Sequence, residues 1–227
     1  MKKNKLLILS LICLFLLGMI PSFAYGETNK SYASDDTELN WYFVTRGKDQ
    51  LPEGPKEGAS ILGNYNSYFL GDTENKVIYL TFDEGYENGY TSLILDVLKE
   101  EQVPAAFFVV EPYIKANPDL IKRMADEGHL VCNHSHHHPS MPTITDSEKF
   151  NKEFTDVEEA YKEIVGSDIP KFFRPPMGKY SLNSIKKTND LGYKTIFWSF
   201  AYKDWIKEQQ PSEQLAIEKI TNGVHPG

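Results

Sequence analysis

The chain has 227 residues, 24 Lys and Arg against 32 Asp and Glu, and a formal net charge of −8. That length suits one domain of ordinary or large size plus an extension, and the acidic balance argues against nucleic acid, whose phosphates call for Lys and Arg. With only Cys13 and Cys132, the first inside an N-terminal apolar run, a disulfide framework is excluded and the core must hold by packing.

Lys2, Lys3 and Lys5 open the chain, Leu6 to Ile20 is apolar, and Pro21 leads into Ser22-Phe23-Ala24. A basic start, an apolar run and a small-x-small site are the layout of a secretory signal. The run of about 15 residues is shorter than the roughly 20 that span a bilayer. Residues 1–24 are therefore expected to direct export to the cell envelope or beyond, with a membrane tether if the segment is retained. Its removal takes away three lysines and no acid, so the remainder is more acidic still. Residues 25–38 are polar and read as a flexible lead. Residues 39–75 are rich in aromatics (Trp41, Tyr42, Phe43, Tyr65, Tyr68, Phe69) and read as an ordered extension of the domain at 76–227.

Lys76 to Phe82 is β-branched and aromatic without a breaker, which predicts a buried strand. A helix near Thr91–Glu101 follows, with Leu93, Ile94, Val97 and Leu98 on one face. Strand Ala105–Val110 precedes a helix near Pro118–Glu127, and strand His129–Asn133 precedes a loop and a long helix, Asp146–Val165. Strand Phe172–Arg174 leads to a helix near Ser181–Leu191, and strand Lys194–Ser199 to a last helix near Ser212–Thr221. Gly128, Gly166 and Gly192 close helices, as glycine often does. Strict alternation of strand and helix predicts an α/β fold with a parallel sheet, open or closed into a barrel, and chemistry at the carboxyl ends of the strands.

The reactive side chains fall at those ends. Asp83 and Glu84 follow the first strand, His134 the third, Arg174 ends the fourth, and Asp204 lies beyond the fifth. Adjacent carboxylates disfavour each other's ionisation unless a cation is near. In Asn133-His134-Ser135-His136-His137-His138, the first and last His are spaced so that both can meet one ion, with His136 and His137 facing elsewhere. Glu84, His134 and His138 can supply the two-His, one-carboxylate set of a catalytic zinc site. Asp83 is then free to take a proton from metal-bound water; its alternative role is a helix N-cap. Arg174, entering the rigid turn Pro175-Pro176-Met177-Gly178, would keep Asp83 ionised and aimed. The Met177 N–H could meet an oxyanion, and Trp205 would line the site, while Trp198 fits the core. Cys132 reads as a small buried residue.

Thr81-Phe82-Asp83, His134-Ser135-x-x-His138, Arg174-Pro175-Pro176-x-Gly178 and Asp204-Trp205 together resemble the polysaccharide deacetylases that share the NodB homology domain. Gly85-Tyr86-Glu87-Asn88-Gly89-Tyr90-Thr91 and Tyr68-Phe69-Leu70-Gly71-Asp72 look like its muramic-acid de-N-acetylase branch, from endospore-forming bacteria. The resemblance implies a distorted (β/α) barrel and removal of N-acetyl groups from a peptidoglycan strand by a divalent-metal enzyme, zinc being the expected ion. No protein partner is implied. Asp83 would be the base, Arg174 its positioner, and His134 and His138 ligands. Asp204 would join the catalytic group, and Tyr86, Met177 and Trp205 the sugar-binding one. The family usually has Asp at the position of Glu84 and an acid at that of Ala201. It also continues with an apolar strand ending in Leu-x-His, so a barrel lacking its last strand and helix is expected of an incomplete sequence. N-acetylglucosamine or chitin oligomers as substrate, or a wall-binding module without turnover, are the alternatives.

Overall fold

The computed structural model describes residues 36–227, one compact unit. The expected signal at 1–24, and all but the end of the expected lead, lie outside the described residues.

β1 (Leu39–Asn40) and β7 (Lys179–Tyr180) form a small antiparallel pair. A short helix α1 (Ala59–Leu62) precedes β2 (Ser67–Tyr68). The main body then runs β3 (Thr81–Glu84), α2 (Thr91–Glu100), β4 (Ala106–Val109), α3 (Glu111–Ala116), α4 (Pro118–Asp126), β5 (Leu130–Asn133), α5 (Ser147–Val165), β6 (Phe172–Phe173), α6 (Leu182–Asp190), β8 (Lys194–Ile196) and α7 (Glu213–Gly223). Six strands pair in parallel in the order β2-β8-β6-β5-β4-β3, and no pairing closes β2 on β3 among the described residues.

β4 and β5 are covered on both faces, so they read as continuous apolar runs. Phe107, Val109 and Val131 enter one cluster with Leu95, Leu98, Tyr113, Ile121 and Met124 from the flanking helices and Val157 and Tyr161 from α5. The helix ends follow local chemistry. Asp146 accepts the Lys149 N–H at the start of α5, and Gly166, at φ 81°, takes the left-handed turn at its end. Residues 39–75 join the same fold: β2 is a strand of the main sheet, and Trp41 stacks on Phe197 at 4.5 Å while its indole N–H donates to the Trp198 carbonyl.

Two expectations are corrected. Lys76–Phe82 is not a buried strand: Val77, Ile78, Tyr79 and Leu80 are exposed, and β3 runs only from Thr81 to Glu84. Among the described residues β3 pairs on one side only, with β4, whose ladder reaches no further back than the Leu80 carbonyl. The carboxylates Asp83 and Glu84 are thus the last two residues of the strand rather than residues beyond it. On α2 the packed face is Thr91, Leu95 and Leu98, while Leu93 and Val97 face water. Five apolar positions wrap much of this helix, so the expected face was right at Leu98 and at Ile94, which packs against the same cluster, and wrong at Leu93 and Val97.

The short helices α1 and α3 and the two-residue strands β1, β2 and β7 are not among the expected elements, since elements of two to six residues carry little periodic signal. α7 buries none of its side chains, and no described helix is long and apolar enough to cross a membrane.

Candidate active site

Strand register aligns the reactive residues. Glu84 pairs with Val109, Val109 with Asn133, Asn133 with Phe173, and Phe173 with Thr195. His134 and Arg174 each stand one position past that row and Asp83 one before it. A single line across the carboxyl end of the sheet therefore gathers residues that are far apart in sequence.

Arg174 is buried and fixed on several sides. Its Nε donates to the Ile196 carbonyl (3.2 Å) and Nη2 to that of Phe197 (3.4 Å), and its guanidinium lies over the Phe108 ring (4.2 Å). What remains, Nη1, donates to Asp83 Oδ1 at 2.7 Å. Asp83 caps no helix; α2 starts from Tyr90.

His134 Nδ1–H donates to the Arg174 carbonyl at 2.8 Å. This places the ring proton on Nδ1 and leaves the Nε2 lone pair directed toward Asp83 Oδ2, 4.0 Å away. That gap is too long for a hydrogen bond. His138 sits edge-on to His134 with ring centroids 4.9 Å apart. Burial lowers the pKa of both rings and holds them uncharged, against the opposing pull of Asp83. The two rings meet through a hydrogen-bonded loop rather than a helical turn. Ser135 and His138 adopt left-handed backbone (φ 71° and 57°), the Ser135 N–H donates to Asn133 Oδ1, and the His138 N–H to Ser135 Oγ.

His136 and His137 face away, stacked 3.6 Å apart over the acids of α5 and α3. The His136 Nδ1–H donates to Asp156 Oδ2 (2.6 Å). Glu153 receives both the His137 N–H (2.8 Å) and its Nδ1–H (2.9 Å). Glu153 and Glu111 are buried. Sequence reasoning missed this clamp and the Asn133 amide beneath it, which also donates to Tyr193 Oη and the Phe154 carbonyl. Glu111, two residues past strand β4 and the first of α3, carried the same signal of an acid closing an apolar run as Asp83; Glu153 and Asp156, in mid-helix, carried none.

Glu84 turns elsewhere. Successive strand residues point to opposite faces, and its carboxyl lies near the charges of Glu87, Asp83 and Asp204. Burial first, and those charges second, push its pKa up to about 7. The Tyr113 hydroxyl donates to Glu87 at 2.9 Å and braces that side. Asp83, not Glu84, is the carboxylate whose charge reaches both imidazoles. Desolvation, opposed by a backbone hydrogen bond and aided by Asp83, raises the Asp204 pKa. Tyr86, Met177 and Trp205 are exposed, Met177 in left-handed backbone at φ 58°. The absent Cβ of Gly178 leaves room for the Trp198 ring, which is half-buried. Cys132 is fully buried, and burial pushes its thiol up to about 12.

Among the described residues no three His, Cys, Asp or Glu stand together closely enough to hold an ion as placed. The donor chemistry nonetheless suits one: two neutral imidazoles, one with its lone pair fixed by a carbonyl behind it, beside a carboxylate.

The polysaccharide deacetylase family matches residues 70–196. The peptidoglycan-N-acetylmuramic acid deacetylase PdaA of Bacillus subtilis is 41% identical over 202 residues, 89% of this chain and 76% of that protein. Its solved structure, described as a family 4 carbohydrate esterase, superposes with a TM-score of 0.82 over 85% of this chain and 82% of that one. A family 4 carbohydrate esterase from Bacillus anthracis, 41% identical, gives 0.70 over 83% and 90%. The parallel α/β sheet is that of these (β/α) barrels, and the family's deacetylases are metalloenzymes. This chain belongs to the polysaccharide deacetylase family.

Proposed function

We propose that the chain is a divalent-metal hydrolase that removes the N-acetyl group from N-acetylmuramic acid in peptidoglycan, releasing acetate and leaving the amine. One observation carries the reading: a carboxylate locked to a buried arginine faces two uncharged imidazoles. That arrangement lies in a fold whose relative of 41% identity is named for this reaction.

His134, His138 and one carboxylate of β3 would hold the cation, for which zinc suits the donor set; when bound it would supply an acidified water and polarise the acetamide carbonyl. Glu84 is the carboxylate assigned to it: its side chain, turned away from the imidazoles as placed, would have to swing toward them, and a cation nearby would relieve the crowding that raises its pKa. Asp83 is the base. With Oδ1 held by Arg174 it keeps Oδ2 for the proton that the attacking water gives up. Hydroxide adds to the carbonyl carbon, the C–N bond breaks, and the proton goes to the leaving nitrogen, with Asp204 the partly desolvated acid on that side. The Met177 N–H meets the oxyanion, and the exposed faces of Tyr86 and Trp205 receive the sugar. The leader at 1–24 would deliver the domain to the cell envelope, where peptidoglycan lies.

Acetate release from purified peptidoglycan by the metal-loaded protein, beside Asp83→Asn, tests the reaction. Release by the wild type alone supports hydrolysis. Equal signals from both would leave only binding.

A further inference from the structure

The aromatic extension reaches the catalytic rim through one residue. Trp41 is buried, and both of its N–H groups go to backbone of that rim. Its main-chain N–H donates to the Gly178 carbonyl at 2.8 Å, at the end of the turn that presents Met177. Its indole Nε1–H donates to the Trp198 carbonyl at 2.9 Å, 157 residues along the chain. The β1–β7 pair and the Glu38–Lys179 ion pair (2.7 Å) tie the residues before Trp41 to those after the turn.

These segments are in direct contact. A Cβ on Gly178 would lie 2.7 Å from the Trp198 ring and 3.0 Å from Trp41 Cβ, and the Trp41 ring stacks on Phe197 at 4.5 Å. The carbonyls of Ile196, Phe197 and Trp198 divide between two side chains: the first two receive Arg174, the third receives Trp41. The Trp198 ring lies 5.8 Å from the Arg174 guanidinium. A phenylalanine at position 41 would fill the core equally well. A buried indole N–H is costly unless paired, and here its partner is the carbonyl next to those that anchor Arg174.

We propose that Trp41 is a positioning residue for the hydrolysis. Through the Trp198 carbonyl it fixes the strand end that anchors Arg174, and so the aim of Arg174 at Asp83. Its effect on turnover rests on Asp83 being the base of the proposed reaction, whereas the anchoring of Arg174 does not.

Two readouts on the full chain test this. In the metal-free protein, Trp41→Phe, which keeps a ring and the backbone bond but not the indole N–H, should speed exchange of the Arg174 Nε–H with water about fivefold or more by side-chain NMR, the backbone spectrum staying that of a folded protein. With metal added, the same variant should lower kcat for acetate release about fivefold or more and leave KM unchanged. Made on Arg174→Lys, which cannot hold both carbonyls, the change should cost less than about twofold. Should the smaller ring unfold the chain, benzothienylalanine in place of Trp41, with sulfur where the N–H stood, gives the same comparisons. Unaltered Arg174 exchange would overturn the proposal. So would equal kcat losses in the two backgrounds, a loss in KM alone, or a lower melting temperature with kcat intact. A wild type that releases no acetate would overturn the reaction assignment instead, and the Arg174 proton would then decide whether Trp41 holds that side chain.

Discussion

The Arg174 guanidinium reaches Asp83 Oδ1 at 2.7 Å from a side chain that is 4% exposed, while the Asp83 side chain is 37% exposed. The charge that orients the base is thus fixed inside the protein, and the base itself opens to the site. Arg174→Lys keeps a positive charge but cannot hold two carbonyls and a carboxylate at once. We expect kcat to fall about tenfold to a hundredfold with KM little changed, against about 10² to 10⁴ for Asp83→Asn. Steady-state kinetics of both variants check this, and a loss appearing in KM alone would place Arg174 in sugar binding.

The two acids of β3 are separable. Glu84→Gln should lower metal affinity, measured by calorimetric titration with zinc, whereas Asp83→Asn should leave affinity near wild type and abolish turnover. The reverse pattern would exchange their roles, as the position of Asp83 facing both imidazoles makes physically possible.

The Glu153 clamp should matter for the loop rather than the fold. Glu153→Ala leaves the His137 N–H without its acceptor, at a cost of about 1–3 kcal/mol. Because His137 is joined directly to His138, metal affinity should fall more than in His137→Phe, which keeps the backbone bond. Equal affinities in the two variants would make the clamp purely structural.

His129 gives a pH signature. Burial lowers its pKa below the usual histidine value, opposed by the Glu127 charge and aided by Arg123. The unfolded chain therefore binds the proton more readily. The stability that the neutral ring confers is full above about pH 6.5 and is lost as the pH falls through the lower folded value. Urea unfolding of the wild type relative to His129→Phe should be level from pH 7 to 8 and decline below 6.5. Parallel curves throughout would contradict it.

Much of the site was legible because its residues sit at strand ends, where a run of apolar residues stops at a reactive one: Phe82 to Asp83, Cys132-Asn133 to His134, Phe173 to Arg174. Strand register then brings them into line with no further information. Glu153 and Asp156 were invisible because they lie on the polar helix α5, where an acid that clamps a loop looks like one that faces water. Val77 to Leu80 misled for a related reason. Apolar sequence reports a preference for burial, but the outer place of β3 in the sheet decides whether a neighbour is there to provide it.

The central claim is tested most directly by mass spectrometry of peptidoglycan fragments after incubation with the metal-loaded protein, read separately for muramic acid and glucosamine. Muramic residues should lose their acetyl groups while glucosamine residues keep them, and Asp83→Asn should leave both intact. Muramic residues that stay fully acetylated, or acetyl loss from glucosamine instead, would contradict the assignment.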